Sequence, residues 1–381
     1  MAETKKSKLF FASARAKLFD YDASMPGKLD KIIKLLKFDK HFIKNELVAV
    51  KMHFGNPGTH RTIPPLFVRQ VVDALKGIGA NPFVADSTRI KGYDYLHTAN
   101  INGYNQTTLG CPVIMADGIF GSDSVEVPAG KHLKKAFVPS AFYDATAMVV
   151  LTHVTGHAQY GLGGAMKNIA MGLNAHHSRG GSWSSGGRGK MHMIREEKFK
   201  NITENCTLCE QCIKICPVGA IESAGDHVEI DWNYCWRCLR CTRVCQSGAL
   251  VPPEPSDDSY EALAEGAKAA MSTFKSGKVL HISFLINLQP ECDCMPMSDV
   301  PLVSDIGILA GEDMIAIDWA TLDLVGDMTP IPESQAQGMI NSRENDVFSQ
   351  VNNRQPRKYL LAAEKLGLGS TKYDLVKIDN S

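Results

Sequence analysis

The sequence carries no surplus of either charge: 41 Lys and Arg face 41 Asp and Glu in 381 residues. A chain that binds nucleic acid normally shows a basic excess, so that class is disfavoured. No apolar run approaches the roughly 18 residues that a membrane-crossing helix needs, so no membrane partner is expected. Residues 1–8 are polar and basic, and the short apolar stretch after them is broken by Arg15 and Lys17. No secretory signal is expected from that pattern, and a cytoplasmic location is. No G-x-G-x-x-G follows an apolar strand, and the glycine-rich stretch Gly161 to Lys167 lacks the G-x4-G-K-[ST] spacing, so neither nicotinamide nor a P-loop nucleotide is supported. With 44% apolar and 22% charged residues, the composition is that of a globular protein, long enough for one large domain or two ordinary ones.

Cysteine, by contrast, is abundant. Eight of the eleven cysteines fall within 40 residues. Disulfides are rare in the cytosol, so such a block points to metal. Cys206, Cys209, Cys212 and Cys216 follow the C-x2-C-x2-C-x3-C pattern, with Pro217 next; Cys235, Cys238, Cys241 and Cys245 repeat it at an offset of 29 residues. Three thiolates on one tight loop reach three irons of one cubane, and the fourth, one helical turn on, points at the other cluster. The expected ligand sets are therefore Cys206, Cys209, Cys212 and Cys245 for one [4Fe-4S] cluster and Cys235, Cys238, Cys241 and Cys216 for the second. Gly219 with Ala220, and Gly248 with Ala249, provide turns in which backbone can approach cluster sulfur. Zinc knuckles, the competing reading, use two separated ligand pairs rather than two runs of four. The block resembles the two-cluster bacterial-type ferredoxins over residues 200–252, with Gln246 standing where that family usually has proline. Lys214, Arg237, Arg240 and Arg243 decorate it; they read first as a solvated face, and otherwise as a docking face for an acidic redox partner.

The flanking sequence alternates between strand and helix patterns. Residues 47–52, 82–85, 112–115 and 147–154 read as strands, the last a continuous apolar run typical of a parallel sheet buried on both faces. Pro64 and Pro65 open a helix with Val68, Val71, Val72 and Leu75 at helical spacing. Another helix is expected around 162–171. Residues 174–192, rich in Gly and Ser, read as a loop, in which His176 and His177 are a weak metal candidate. After the cysteine block come a helix from about residue 256, a strand at 279–286 and a helix at 313–325. The expected fold class is α/β, a mostly parallel sheet domain (1–195 and 254–381) with an inserted ferredoxin-like module carrying two [4Fe-4S] clusters (196–253). Cys111 reads as a buried apolar thiol.

From about residue 46 to 326 the chain resembles the iron–sulfur members of the domain of unknown function 362 family. The resemblance rests on Val-Lys-Met-His-Phe-Gly (50–55), Ala-Asp-Ser-Thr (85–88), Gly-Lys-His-Leu-Lys-Lys (130–135), the stretch from Gly156 to Asn168, the inserted cysteine block, Glu-Cys-Asp-Cys (291–294) and Ser-Asp-Ile-Gly-Ile-Leu-Ala (304–310). It implies a cytoplasmic α/β protein with an inserted two-cluster ferredoxin, typical of anaerobic metabolism, and supplies no settled reaction.

In open α/β sheets, ligands sit beyond the carboxyl ends of the strands. Lys51 and His53, Asp86 and Ser87, and His153 and His157 follow such ends, as does Asp293 between Cys292 and Cys294. Cys292 and Cys294 can bind a soft metal, act as a redox dithiol or ligate a third iron centre. Lys167 and Asn168 read as an anion-binding pair, and His60 with Arg61 as a second anion candidate. The expected active-site set is His53, His157, Lys167, Asn168 and Asp293, with Cys292 and Cys294 as a third metal site. The reading is an iron–sulfur oxidoreductase that passes electrons between the clusters and a small anionic substrate, with a redox partner protein. Its rivals are a dedicated electron carrier or subunit, and a maturation factor handing on metal or sulfur through Cys292 and Cys294.

Overall fold

β-Branched and small apolar residues build the strands of one eight-stranded sheet: β1 (Ser7–Ser13), β2 (Leu47–Lys51), β3 (Asn81–Asp86), β4 (Val113–Met115), β5 (Ala147–His153), β6 (Val279–Leu285), β7 (Gly307–Gly311) and β8 (Tyr373–Lys377). The computed structural model describes residues 6–88, 92–175, 191, 199–216, 219–235, 239–252 and 257–378. Arg237, Cys238, His176, His177 and most of the Gly/Ser-rich stretch lie outside the described residues.

The strand order is β8-β1-β7-β6-β5-β2-β3-β4. Strand β7 runs antiparallel to both of its neighbours, and every other pairing is parallel. The sheet is thus mostly parallel, and its central strands β5 and β6 are buried along their whole length, as strands covered on both faces must be. Helices α1 (Met25–Leu36), α2 (Pro65–Gly77) and α3 (Gly92–Ile101) cover one face, packing Leu29, Ile32, Val68, Val71, Val72, Leu75 and Tyr95 onto it. Helices α4 (Ala165–Gly172), α5 (Asp257–Met271), α6 (Met314–Gly326) and α7 (Pro356–Lys365) cover the other.

The α2 helix begins at Pro65, whose fixed φ suits a first helical position. Asp313 caps α6, its carboxylate accepting from Ile315 N and Ala316 N at 2.9 and 3.0 Å. Helix α4 starts later than the expected 162, because Gly161–Gly163 pairs with Thr155–His157 in a small hairpin. No side chain of its own caps α4; the Asp318 carboxylate on α6 accepts from Ala165 N at 2.7 Å and Met166 N at 2.9 Å instead. Strands β1, β7 and β8, and helices α1, α3 and α7, were not expected from the sequence pattern.

Strands β5 and β6 pair in register from Met148–Val279 to His153–Phe284, although the whole cysteine block lies between them in the chain. That block has its own apolar cluster, with Phe199, Ile221, Val228, Leu239 and Leu250 at its centre. Its ends pair with each other through Lys200–Val251 and Asn201–Leu250, and a hairpin, Ile221–Ala224 with His227–Ile230, crosses it.

Candidate redox site

The cysteine block has an internal two-fold echo at the 29-residue offset. Glu210 and Leu239 both take the left-handed conformation, at φ 58° and 60°, and each opens a short helix, Gln211–Ile215 and Arg240–Val244. Gly219 and Gly248 repeat the device at φ 64° and 71°, a region where a side chain would be strained. Cys206, Cys209, Cys212 and Cys245 line one small cavity together with Leu208, Val228, Ala249 and Leu250. Backbone amides point at the sulfurs: Ala220 N–H donates to Cys216 Sγ at 3.2 Å and Leu250 N–H to Cys245 Sγ at 3.3 Å. Against the burial that would raise it, hydrogen bonds from the Leu250 amide and the Ser247 hydroxyl, with the Ala249 and Gly248 amides, hold the Cys245 thiol below its ordinary pKa. Thiolates on a shared cavity with amide donors behind them fit an iron–sulfur centre. Cys235, Cys216 and Cys241 belong to the same small core as Phe199, Ile221 and Leu239.

The α/β rim comes next. In the sheet, β3 and β4 lie on one side of β2, and β5 and β6 on the other. The strand order therefore turns back between β2 and β5, the place where ligands of open α/β sheets collect. At the end of β2, Lys51 is fully buried; its Nζ pairs with Asp86 Oδ1 at 2.8 Å and donates to Asn168 Oδ1 at 2.6 Å. The Asn168 amide nitrogen donates to Leu151 O and Thr152 Oγ1 at 3.0 and 3.1 Å. Asn168 thus clamps α4 to the ends of β2 and β5. His53 Nδ1 accepts from Gly55 N–H at 2.9 Å and sits 2.9 Å from the Tyr95 hydroxyl, which donates to Asp86 Oδ2 at 2.5 Å. His60 and Arg61 are engaged by the loop after β6, through Ser298 Oγ and Asn287 Oδ1.

That loop is the centre of the arrangement. Asp293 is buried and bound by His153, whose Nδ1 lies 2.8 Å from Oδ2, and by Gln289 Nε2 at 3.0 Å. His153 Nε2–H donates to Ile286 O at 2.8 Å. Burial works to lower the His153 pKa, but the charge and hydrogen bonds of Asp293, with Ile286 O, outweigh it and raise it. The pair pins the loop to β5. Gly156 lets the hairpin strand 155–157 lie against the same loop: its N–H donates to Gln289 O at 2.8 Å, and a Cβ there would stand 2.1 Å from Pro290 O. As a result His157, Cys292 and Cys294 converge, with one ligand atom from each lying within 4.8 Å of the others. Lys167 Nζ is 3.4 Å from Cys292 Sγ. The Cys292 thiol is pushed well up, first by its hydrogen bond with Cys294 and by burial, with Lys167 opposing. The structure therefore brings His157, Lys167, Cys292 and Cys294 together. His53 stays in the neighbouring Asp86–Tyr95 group. Cys111 is buried as expected, and burial raises its thiol pKa.

The cysteine module sits on this loop. Arg240 is buried and donates to Cys294 O at 2.5 Å. Arg243 pairs with Glu291, and also donates to Asn352 Oδ1 at 3.3 Å. These two arginines are not a solvated face, as the sequence reading had them; they dock the helix that bears Cys241 onto the segment that bears Cys292 and Cys294. Lys214 does remain exposed, near Glu210 at 3.8 Å. Nothing in the local sequence around Arg240 or Glu291 signals the contact, since its halves are some 50 residues apart.

Comparison with known proteins bears on both parts. The chain is similar to pyruvate synthase subunit PorD of Methanocaldococcus jannaschii, 42% identical over 56 residues, which is 14% of this chain and 65% of that protein. It is similar to Ferredoxin-3 of Chlorobaculum tepidum, 38% identical over 56 residues, 13% of this chain and 90% of the ferredoxin. Indolepyruvate oxidoreductase subunit IorA of Archaeoglobus fulgidus is 35% identical over 51 residues, of which the chain spans only 8%. Among solved structures, the lactate racemase apoprotein from Thermoanaerobacterium thermosaccharolyticum gives a TM-score of 0.34 at 11% identity, covering 74% of this chain and 51% of that one; so loose a likeness carries no argument. The chain spans about half the length of the solved structures it matches. No helix among the described residues is long and apolar enough to cross a membrane. The ferredoxin relatives match the cysteine block and support an iron–sulfur, ferredoxin-like module in this chain. Residues 48–323 match the family described as Domain of unknown function (DUF362), and the chain belongs to that family.

Proposed function

We propose that this protein is an iron–sulfur oxidoreductase of the cytoplasm in which the cysteine module exchanges electrons with a site at the Cys292–Cys294 loop that takes a small anionic substrate. Cys206, Cys209, Cys212 and Cys245 would hold one [4Fe-4S] cluster, and Cys235, Cys238, Cys241 and Cys216 the other. Bound clusters supply one-electron transfer. The observation that carries the reading is the Arg240 hydrogen bond to Cys294 O, which seats the Cys241 helix directly on the thiol loop.

The chain's own residues have separable tasks. Lys167 offers positive charge beside Cys292 for an anion or for negative charge that develops on it. His157 is placed to hold or move a proton at the same spot. The His153–Asp293 pair and Asn168 keep the loop and α4 in place. A redox partner protein completes the electron path. That PorD and IorA are by name oxidoreductase subunits supports such a partner.

The test is to count iron and sulfide in anaerobically purified protein, then follow reoxidation of the dithionite-reduced protein by a panel of small anions that carry a reducible group, such as 2-oxo and α,β-unsaturated carboxylates. Two clusters require roughly eight irons per chain. An anion that reoxidises the wild type should fail with Lys167→Ala and act slowly on Arg240→Ala/Arg243→Ala at unchanged iron. Roughly four irons would remove the two-cluster assignment, and equal rates in all three proteins would move the substrate off this loop. A second reading, a dedicated electron carrier, is favoured by the exposure of Cys209, which opens one side of the module to a partner. Its signature is electron exchange with an external ferredoxin-dependent enzyme that Cys292→Ser/Cys294→Ser leaves untouched.

A further inference from the structure

Two thiols one residue apart are unremarkable in a loop, but three features set Cys292 and Cys294 apart. They are joined by His157 from a separate hairpin, with ligand atoms from all three within 4.8 Å of one another. Cys292 and His157 are buried, at 6% and 5% exposure, so the convergence is not a chance meeting of surface side chains. The positions are also held from behind: Asp293 by His153 and Gln289, the hairpin by Gly156 against Gln289 and Pro290, and Cys294 O by Arg240. A metal site needs this kind of supporting layer to fix its ligands before the ion arrives.

We propose that His157, Cys292 and Cys294 form a binding site for one thiophilic divalent cation of the zinc class, with its remaining coordination position open to a small anion. The donor set is the argument. Two sulfurs and one imidazole suit zinc and similar soft ions and are poorly matched to magnesium or calcium, which take oxygen. Two adjacent thiolates in a buried place repel each other, and a divalent ion removes that cost: Cys292 and Cys294 each release a proton to water, and the ion with two thiolates is neutral. Among the described residues the group offers three ligands rather than four, the pattern of zinc sites that keep an open position. Lys167 Nζ, 3.4 Å from Cys292 Sγ, gives that position a preference for an anion. The site lies outside the eight-cysteine block, and its existence does not require electrons to reach it.

The experiment is equilibrium dialysis of the anaerobically purified holoprotein against Zn²⁺, followed by elemental analysis and zinc-edge X-ray absorption. The wild type should hold one zinc per chain beyond its iron, with two sulfur scatterers at about 2.3 Å and nitrogen at about 2.0 Å. Cys292→Ser/Cys294→Ser should lose that zinc at unchanged iron. His157→Ala should weaken it by at least about tenfold, the loss that removing even a group behind a ligand brings. If the double variant fails to fold, the His157→Ala comparison alone decides. Zinc bound equally by wild type and His157→Ala, no zinc in the wild type, or a Cys292–Cys294 disulfide in the purified protein would each overturn the site. The zinc count does not depend on the relay: one zinc per chain with no reoxidation by any anion would sink the relay and leave the site, so a failed relay and a failed metal site give different results.

Discussion

The cysteine module and the sheet domain reach order by different means. The module's buried core is Phe199, Ile221, Val228, Leu239 and Leu250 with Cys212 and Cys241, and its helices are five residues long. So small a core among the described residues offsets little of the entropy of fixing the chain, and clusters held by its cysteines would supply the remainder. The sheet domain instead packs helices on both faces of eight strands, with continuous apolar clusters on each. Its metal-competent group, His157 with Cys292 and Cys294, sits on a rim that is already built. In one region cysteine makes the fold, and in the other the fold positions cysteine.

The largest effect expected from this contrast is on removing iron. Anaerobic chelation should abolish hydrogen-exchange protection across residues 199–252 while β2, β5 and β6 keep theirs; simultaneous loss in both regions would show that the sheet depends on the module. Next comes the anchor of the thiol loop. Asp293→Ala leaves His153 buried without its partner, at a cost of about 3–5 kcal/mol to the sheet domain, read by chemical denaturation. The pH dependence has a definite sign: because the His153 pKa is raised in the fold, the stabilisation is full below the ordinary histidine value and fades as pH rises through the raised one. Asp293→Ala should erase that fade. Arg243→Ala orphans Glu291, whose own pKa is raised by burial and only partly restored by Arg243. A loss of about 1–3 kcal/mol in docking is expected, seen as faster exchange in residues 240–244 and 291–294 with the rest unchanged. At Asp318 the effect is read as a slope with pH rather than as a single loss: burial lifts its carboxyl to about 7 although the Met166 and Ala165 amides oppose the rise. Between about pH 4 and 7 the folded state then binds the extra proton, so stability falls as pH rises; Asp318→Asn should flatten that slope in denaturation curves.

How much of this was legible beforehand differs by region. The module was readable because its ligands are local: thiols two and three residues apart reach one centre through a single tight loop, and the left-handed turns at Glu210 and Leu239 recur at the same 29-residue offset as the cysteines. Helix α2 and strands β5 and β6 were readable from apolar period and length. The rim residues were readable as polar groups at strand ends, but their grouping was not. Lys167 and Asn168 are adjacent in sequence, yet Asn168 turns to Lys51 and Thr152 while Lys167 turns to Cys292. Arg240 and Arg243 carry no local mark of the loop they bind.

The sequence by itself therefore determined the iron–sulfur chemistry, the α/β class and the set of polar residues at the strand ends, since each follows from short-range spacing or from the period of burial. Only the tertiary structure decided that His157 joins Cys292 and Cys294, that Asp293 serves His153, and that the module rests on the thiol loop. Those contacts join segments from about 50 to 140 residues apart in the chain. Their partners are chosen by strand order and by which carbonyls, carboxylates and thiols the packed sheet leaves at its rim, and no local pattern encodes that.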